Sequence, residues 1–295
     1  MRNHLYPLKH KHLSSHGQVS SNYQEYLIRQ QMKKIKYIVL LFIFIACAFI
    51  VDSTYHYYAP PRLREPYRMK KPDDTLRIAY IGDSWAFMHK DHDCQMAQIL
   101  EDSLHRPVKV HSYGICGLTS KEIYKNMFDN ADFKHFLQKR SYDYCFISAG
   151  INDSYRKMAT SYYQHSMDGI VQFFLANNIH PIILEIPDYD IQKAYNNQKS
   201  NKKMLRKLSM FVNNMPLDCK QQFRHTLDEL VSTKDYQDRI SFIRYQSWNN
   251  DYYNDQQNLY RGDGMHLNNN GYMTLDRVIA KEVLTIERNN VHQKE

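Results

Sequence analysis

The sequence predicts an α/β protein with a central, mostly parallel five-stranded sheet, preceded by one transmembrane helix. Three observations lead there. From residue 75 onward strand-like runs alternate with helical patterns, those runs are apolar almost throughout, and a charge-free stretch lies near the N-terminus. Strands that are apolar on both faces need cover on both faces, which a parallel sheet receives from its crossover helices. At 295 residues, 43% hydrophobic and 24% charged, the chain fits one folded domain with appendages and not a disordered or many-spanning protein.

Taken in order, residues 1–36 form a basic tail. The formal charge of +8 invites a nucleic-acid reading, but seven Lys/Arg against Glu25 and Asp52 place +5 of it before residue 53. No zinc-finger spacing, RNA-binding aromatic motif or sustained basic stripe follows, so no nucleic-acid partner is expected. Tyr37 to Val51 carries no charge, and its fifteen residues would span about 22 Å as a helix. Flanking Lys34 and Lys36 can snorkel, and Tyr55, Tyr57 and Tyr58 suit the opposite interface, so residues 37–52 read as a signal anchor. A cleaved signal peptide is disfavoured by the long polar tail before it. Ile45-Ala46-Cys47 loosely resembles a lipoprotein cleavage site, but the apolar run continues through Phe49 where a polar tether should begin. Arg29, Lys33, Lys34 and Lys36 place the N-terminus in the cytoplasm of a bacterial cell and everything after about residue 53 outside the inner membrane, in a single pass.

Residues 53–74, rich in Pro and charge, read as a stalk. Thr75–Ile81 is the first expected strand, followed by a helix over Cys94–Leu104 with Met96, Ile99, Leu100 and Leu104 at helical spacing. Val108–Tyr113 is the second strand, and a helix opens at Thr119-Ser120, where Glu122 is placed for a capping box. Tyr142–Ser148, Pro181–Ile186 and Arg239–Tyr245 are the remaining strands, with a helix over Met158–Asn177 between the first two. Residues 188–237 form a polar helical insertion. Within it Lys202, Lys203, Arg206 and Lys207 interleave with Met204, Leu205, Leu208 and Phe211, which reads as a helix packing its apolar face on the domain, or alternatively as a lid or a surface for an acidic glycan. A closing helix from about Asn270 to Ile286 ends the domain, 75–288, and residues 289–295 are a tail. Cys94, Cys116, Cys145 and Cys219 lack metal-ligand spacing and point to no disulfide.

In such sheets active residues gather beyond the carboxyl ends of the strands. Gly82-Asp83-Ser84 follows the first strand, where a turn can present the Ser84 hydroxyl. Asp263-Gly264-Met265-His266 follows the last, and a carboxylate three residues ahead of a histidine can fold back to hold Nδ1, leaving Nε2 to take a serine proton. Gly150-Ile151-Asn152-Asp153 follows the third strand, where the Asn152 amide can donate to developing negative charge. Gly114 and Gly117 follow the second, and either can offer an unobstructed N–H that, with the Ser84 N–H, would make an oxyanion hole.

These four blocks, IAYIGDSWA, SYGICGLTS, SAGIND and DGMHLNNNGY, occur in the order and at the positions of the SGNH (GDSL-like) hydrolases, which the sequence resembles over residues 75–286. The resemblance implies a three-layer α/β/α fold. It also implies Ser84 as nucleophile, His266 as base oriented by Asp263, and Ser84, Gly117 and Asn152 as oxyanion donors, with Asp83 and Asp153 in support and no metal or cofactor. Two departures stand out: Trp85 replaces the leucine of the GDSL pattern, and Ser112 stands where many members have Asn. The implied activity is a serine esterase. The expected compartment favours O-acyl, chiefly O-acetyl, esters of carbohydrate, with acetyl transfer to a polysaccharide the alternative and a non-catalytic glycan-binding protein a second one.

Overall fold

The computed structural model describes residues 15–70, 73–89, 95–233, 235–236 and 238–292. Residues 1–14 of the expected basic tail, Cys94 and the last three residues of the C-terminal tail lie outside them. The chain divides into two compact units, the second beginning at Tyr58.

The first unit is built on helix α1 (Ser15–Tyr58), 44 residues long. It extends well beyond 37–52 at both ends, because neither Gln/Lys-rich residues before the apolar run nor Ser53-Thr54 after it break helical geometry. Its Tyr23–Tyr58 portion, with a peak mean hydropathy of 2.5 and no buried residue in that window, is long and apolar enough to cross a membrane, as an anchor or a signal sequence would be.

In the second unit the five apolar runs form β1 (Leu76–Gly82), β2 (Val108–Gly114), β3 (Tyr144–Ser148), β4 (His180–Leu184) and β5 (Ser241–Ile243). They make one fully parallel sheet in the order β2-β1-β3-β4-β5. Central β3 is buried at every position, whereas edge strand β2 is half-buried and edge strand β5 has three residues. The fifth strand is shorter than Arg239–Tyr245 because Tyr245–Ser247 turns into a 3-10 helix.

Helices α2 (Ser84–His89), α3 (Gln95–Leu104), α4 (Ser120–Asp129), α5 (Ala131–Lys139), α6 (Ile151–Arg156), α7 (Thr160–Ala176), α8 (Ile191–Asn196), α9 (Ser200–Val212), α10 (Lys220–Val231), α11 (Tyr252–Leu259) and α12 (Asn269–His292) complete the domain. α7 packs against α4 and α10, while α12 packs against α3 and α11, giving the two outer layers of a three-layer α/β/α sandwich. The capping box expected at Thr119 forms: its side chain accepts from Glu122 N, and Glu122 accepts from Thr119 N at 2.8 Å. A second cap at Asn130, its side chain accepting from Phe133 N at 3.0 Å, starts α5 directly after α4. Tyr80, Phe146, Ile147, Ile170, Phe174 and Ile279 are fully enclosed between the layers.

Two segments differ from their sequence reading. The expected stalk is partly a strap on the domain: Arg64 N donates to Tyr124 Oη at 2.7 Å, Tyr67 Oη to Met127 O at 2.9 Å, and Met69 N to Asn177 Oδ1 at 2.9 Å. The Tyr67 ring also meets Phe128 and Phe173 edge-on. Proline and charge signal an absence of helix or strand, and they say nothing about such irregular docking. The second segment is α9, whose Met204, Leu205, Leu208, Phe211 and Val212 point to solvent instead of into the domain.

Candidate active site

Gly82, the last residue of β1, pairs with Gly114 of β2 and Ser148 of β3, so three loops leave the sheet side by side. Ser84 emerges in the middle, Gly117 on one side and Asn152 on the other. The strand order reverses beside β1, the position at which open parallel sheets form a crevice. Gly114 is needed for close approach: a Cβ there would come 2.3 Å from both Asp83 O and Phe87 N. Gly117 instead adopts φ +80°, and a Cβ there would meet only the Arg156 guanidinium, at 3.9 Å.

Ser84 begins α2, and its first-turn amides are divided between local acceptors. Trp85 N donates to Asp83 Oδ1 at 3.0 Å and Phe87 N to Asp83 O at 3.0 Å, leaving the Ser84 N–H outside the helix ladder. From across the crevice His266 Nε2 lies 2.9 Å from Ser84 Oγ, and His266 Nδ1 lies 2.7 Å from Asp263 Oδ2. The other oxygen of Asp263 accepts from the amides of Met265 at 2.9 Å and His266 at 3.0 Å. Burial raises the Asp263 carboxyl, but these amides and the imidazole outweigh it and hold it below its usual range. An ionised Asp263 therefore faces Nδ1, the arrangement in which Nε2 can receive a proton from serine.

Asn152 sits in the first turn of α6 and donates one amide hydrogen to Asp83 Oδ2 at 2.9 Å. An amide has a second one to offer. Asp83 is almost sealed from solvent, and burial, with the charge of Asp153 adding to it, pushes its carboxyl up to about 7. Asp153 is pushed by burial to about 6 despite accepting from Ser120 N at 2.8 Å and Ser120 Oγ at 2.6 Å. These two acids tie the Ser84 turn to α6 and α6 to α4.

A sequence model of the GDSL-like Lipase/Acylhydrolase family matches residues 80–273, well over half the chain, including Gly82-Asp83-Ser84 and the three later blocks. The chain belongs to this family. Similar solved structures include a lipase/acylhydrolase from Enterococcus faecalis (15% identity, TM-score 0.47, covering 70% of this chain and 95% of that one). Others are a GDSL-like lipase from Bacteroides thetaiotaomicron (14%, 0.44, 72% and 88%) and an acetylxylan esterase from Geobacillus stearothermophilus (16%, 0.45, 70% and 94%). No curated protein sequence matches the chain. The family assignment rests on the match over residues 80–273, and it makes the protein an ester hydrolase.

In this GDSL-like acylhydrolase several residues bearing on the site escaped sequence reasoning. Trp85 Nε1 donates to Met265 O at 3.2 Å, and Tyr272 Oη donates to Trp85 O at 3.0 Å. Arg156 Nη2 donates to Gly117 O at 2.5 Å while its Nη1 meets both Glu122 oxygens at 3.1 Å. Ser112 contacts His89 Nδ1 at 2.7 Å, and His89 Nε2 contacts Asp276 at 2.7 Å, joining β2, α2 and α12. The insertion contributes as well. Lys193 of α8 donates to Gly262 O at 2.8 Å, and Asp190 N to Gly264 O at 3.3 Å, while Tyr252 Oη donates to Gly264 O at 2.5 Å. The loop carrying Asp263 and His266 is thus held from three sides. Of these residues Trp85, Ser112 and Glu122 were singled out in the sequence; their partners lie elsewhere in the chain.

Proposed function

We propose that this acylhydrolase is a membrane-anchored serine esterase that removes O-acyl groups, chiefly O-acetyl, from carbohydrate outside the cytoplasmic membrane. The observation that carries the chemistry is the string from Ser84 Oγ through His266 to Asp263, at 2.9 and 2.7 Å. Ser84 attacks the ester carbonyl as His266 Nε2 takes its proton, and Asp263 holds the resulting imidazolium. The tetrahedral oxyanion is received by the Ser84 and Gly117 N–H groups and the second Asn152 amide hydrogen, which the three adjacent loop origins support. His266 returns the proton to the leaving sugar hydroxyl, an acyl-enzyme remains on Ser84, and a water activated by His266 releases it. The His266 side chain is 20% exposed, so water can reach the base.

The substrate and compartment are supported by the N-terminal segment. The basic residues ahead of the apolar run favour a cytoplasmic N-terminus and a domain, residues 75–288, on the outer side, where ester-bearing glycans are met. Residues 37–52 are the anchoring part. The test is hydrolysis of an aryl acetate and of acetylated oligosaccharides by wild type and Ser84→Ala, with a fluorophosphonate probe in parallel. Loss of turnover and of labelling in Ser84→Ala supports the mechanism. Transfer of acetyl to an added sugar, in preference to water, would reassign the reaction as acyl transfer, and a folded protein without turnover or labelling would sink the enzymatic reading.

A further inference from the structure

Helix α9 shows its apolar residues to solvent: Met204 is 68% exposed, Leu205 54%, Leu208 48%, Phe211 85% and Val212 51%. At 3.6 residues per turn these five fall within an arc of about 120°, with Asn201 at its N-terminal end. Lys207 flanks one edge of the arc and Lys202 the other, both exposed. The opposite side fastens the helix to the domain. Arg206 stacks over the Tyr155 ring at 5.1 Å, Lys203 lies over Tyr195 at 5.9 Å, and buried Ser209 hydrogen-bonds Tyr58 Oη at 2.5 Å. A helix held by its polar side with its apolar side outward is the reverse of ordinary amphipathic packing, and such a row needs an occupant.

The geometry points to the headgroup region of an anionic bilayer as that occupant, with α9 lying in the interface, and this rests on the reading of α1 as a membrane span. Two observations select a lipid surface over a protein groove. Ser209 is bonded to Tyr58, and the uncharged run ends at Val51, so the seven intervening steps of chain reach at most about 25 Å even fully extended. A tether of that length lets the row reach the membrane surface. The composition also fits: Phe, Leu, Met and Val enter the acyl boundary while Lys202 and Lys207 on either flank meet phosphate headgroups, the division of labour of interfacial helices. A bilayer, unlike a shaped protein pocket, accepts a flat row with no directional polar group in it.

The test uses the full chain reconstituted in phosphatidylglycerol-containing vesicles with brominated acyl chains, reading tryptophan quenching in Phe211→Trp and in a comparator, His225→Trp on α10. Wild type supplies the background from Trp85 and Trp248. The expected result is flotation of every variant with the vesicles, with the added Phe211→Trp fluorescence blue-shifted and quenched at least about two-fold more than that of His225→Trp. Flotation with equal, weak quenching of the two would overturn the interfacial role of α9 while leaving the anchor intact, and would pass the row to a protein partner. Failure to float would remove the membrane span itself and this inference with it.

Discussion

The indole of Trp85 donates from Nε1 to the carbonyl oxygen of Met265 across 3.2 Å, joining the first turn of α2, beside Ser84, to the loop that carries Asp263 and His266. Trp85 is fully buried and meets Trp248 edge-on, so the bond is made in a dry setting where its loss is felt. Trp85→Phe keeps the ring and removes the donor. We expect kcat on an aryl acetate to fall about two- to ten-fold, matching roughly 0.5–1.5 kcal/mol for one such bond, with KM little changed. Unchanged kcat together with a lowered melting temperature would show that the bond supports the fold and not the Ser84–His266 geometry.

Arg156 forks between Gly117 O and the Glu122 carboxylate. Lysine has the charge but not the fork, so Arg156→Lys cannot hold both at once. If the Gly117 N–H receives the oxyanion, loosening its loop lowers kcat by roughly ten-fold and leaves KM nearly alone, because the interaction is made in the transition state. A rise in KM at constant kcat would instead put Gly117 in ground-state binding.

The buried acids set a pH dependence. Asp83 and Asp153 hold their protons more tightly folded than unfolded, with carboxyls pushed by burial to about 7 and about 6 from 3.8. Their contribution favours folding in acid and fades as pH rises from about 4 to about 7. The melting temperature should therefore fall between pH 5 and pH 8, by these two groups, and Asp153→Asn should flatten the decline, since an amide can still accept from Ser120 N and donate to Ser120 Oγ. A decline equally steep in Asp153→Asn would place the sensitivity elsewhere.

The strap makes a stability prediction separable from catalysis. Tyr67→Ala removes a ring held between Phe128 and Phe173 and a hydrogen bond to Met127 O. We expect a loss of about 2–3 kcal/mol in chemical denaturation, with kcat of the folded protein unaltered. A fall in kcat at full stability would mean that the strap communicates with the site.

What was legible in the sequence follows from the range of the forces involved. Five strands and a mostly parallel sheet could be read because apolar runs report local burial and alternate with helices; the strand order could not. The four blocks pointed to Ser84, Gly117, Asn152, Asp263 and His266 through their resemblance to the family's motifs; the turns alone left Gly114 and Gly117 equal. Partners 180 residues apart, as with Trp85 and Met265, leave no periodic trace. Nor does the sense of a helix face: the spacing in α9 defines an apolar side, but whether it turns inward depends on what the rest of the domain leaves for it. The strap failed for a related reason, since Tyr67 and Met69 insert from a segment without regular structure.

Ser112, His89 and Asp276 repeat the side-chain types of Ser84, His266 and Asp263 at similar contact distances, 2.7 and 2.7 Å against 2.9 and 2.7 Å. The two strings differ in access and in polarity. His89 and Asp276 are each 2% exposed, and His89 turns Nδ1 toward its serine where His266 turns Nε2. His89 and Asp276 are closed off from water, so that string serves as a rivet through three elements. A template search on residue types and distances alone would return both. The path to water is what separates a reactive constellation from a fastener made of the same parts.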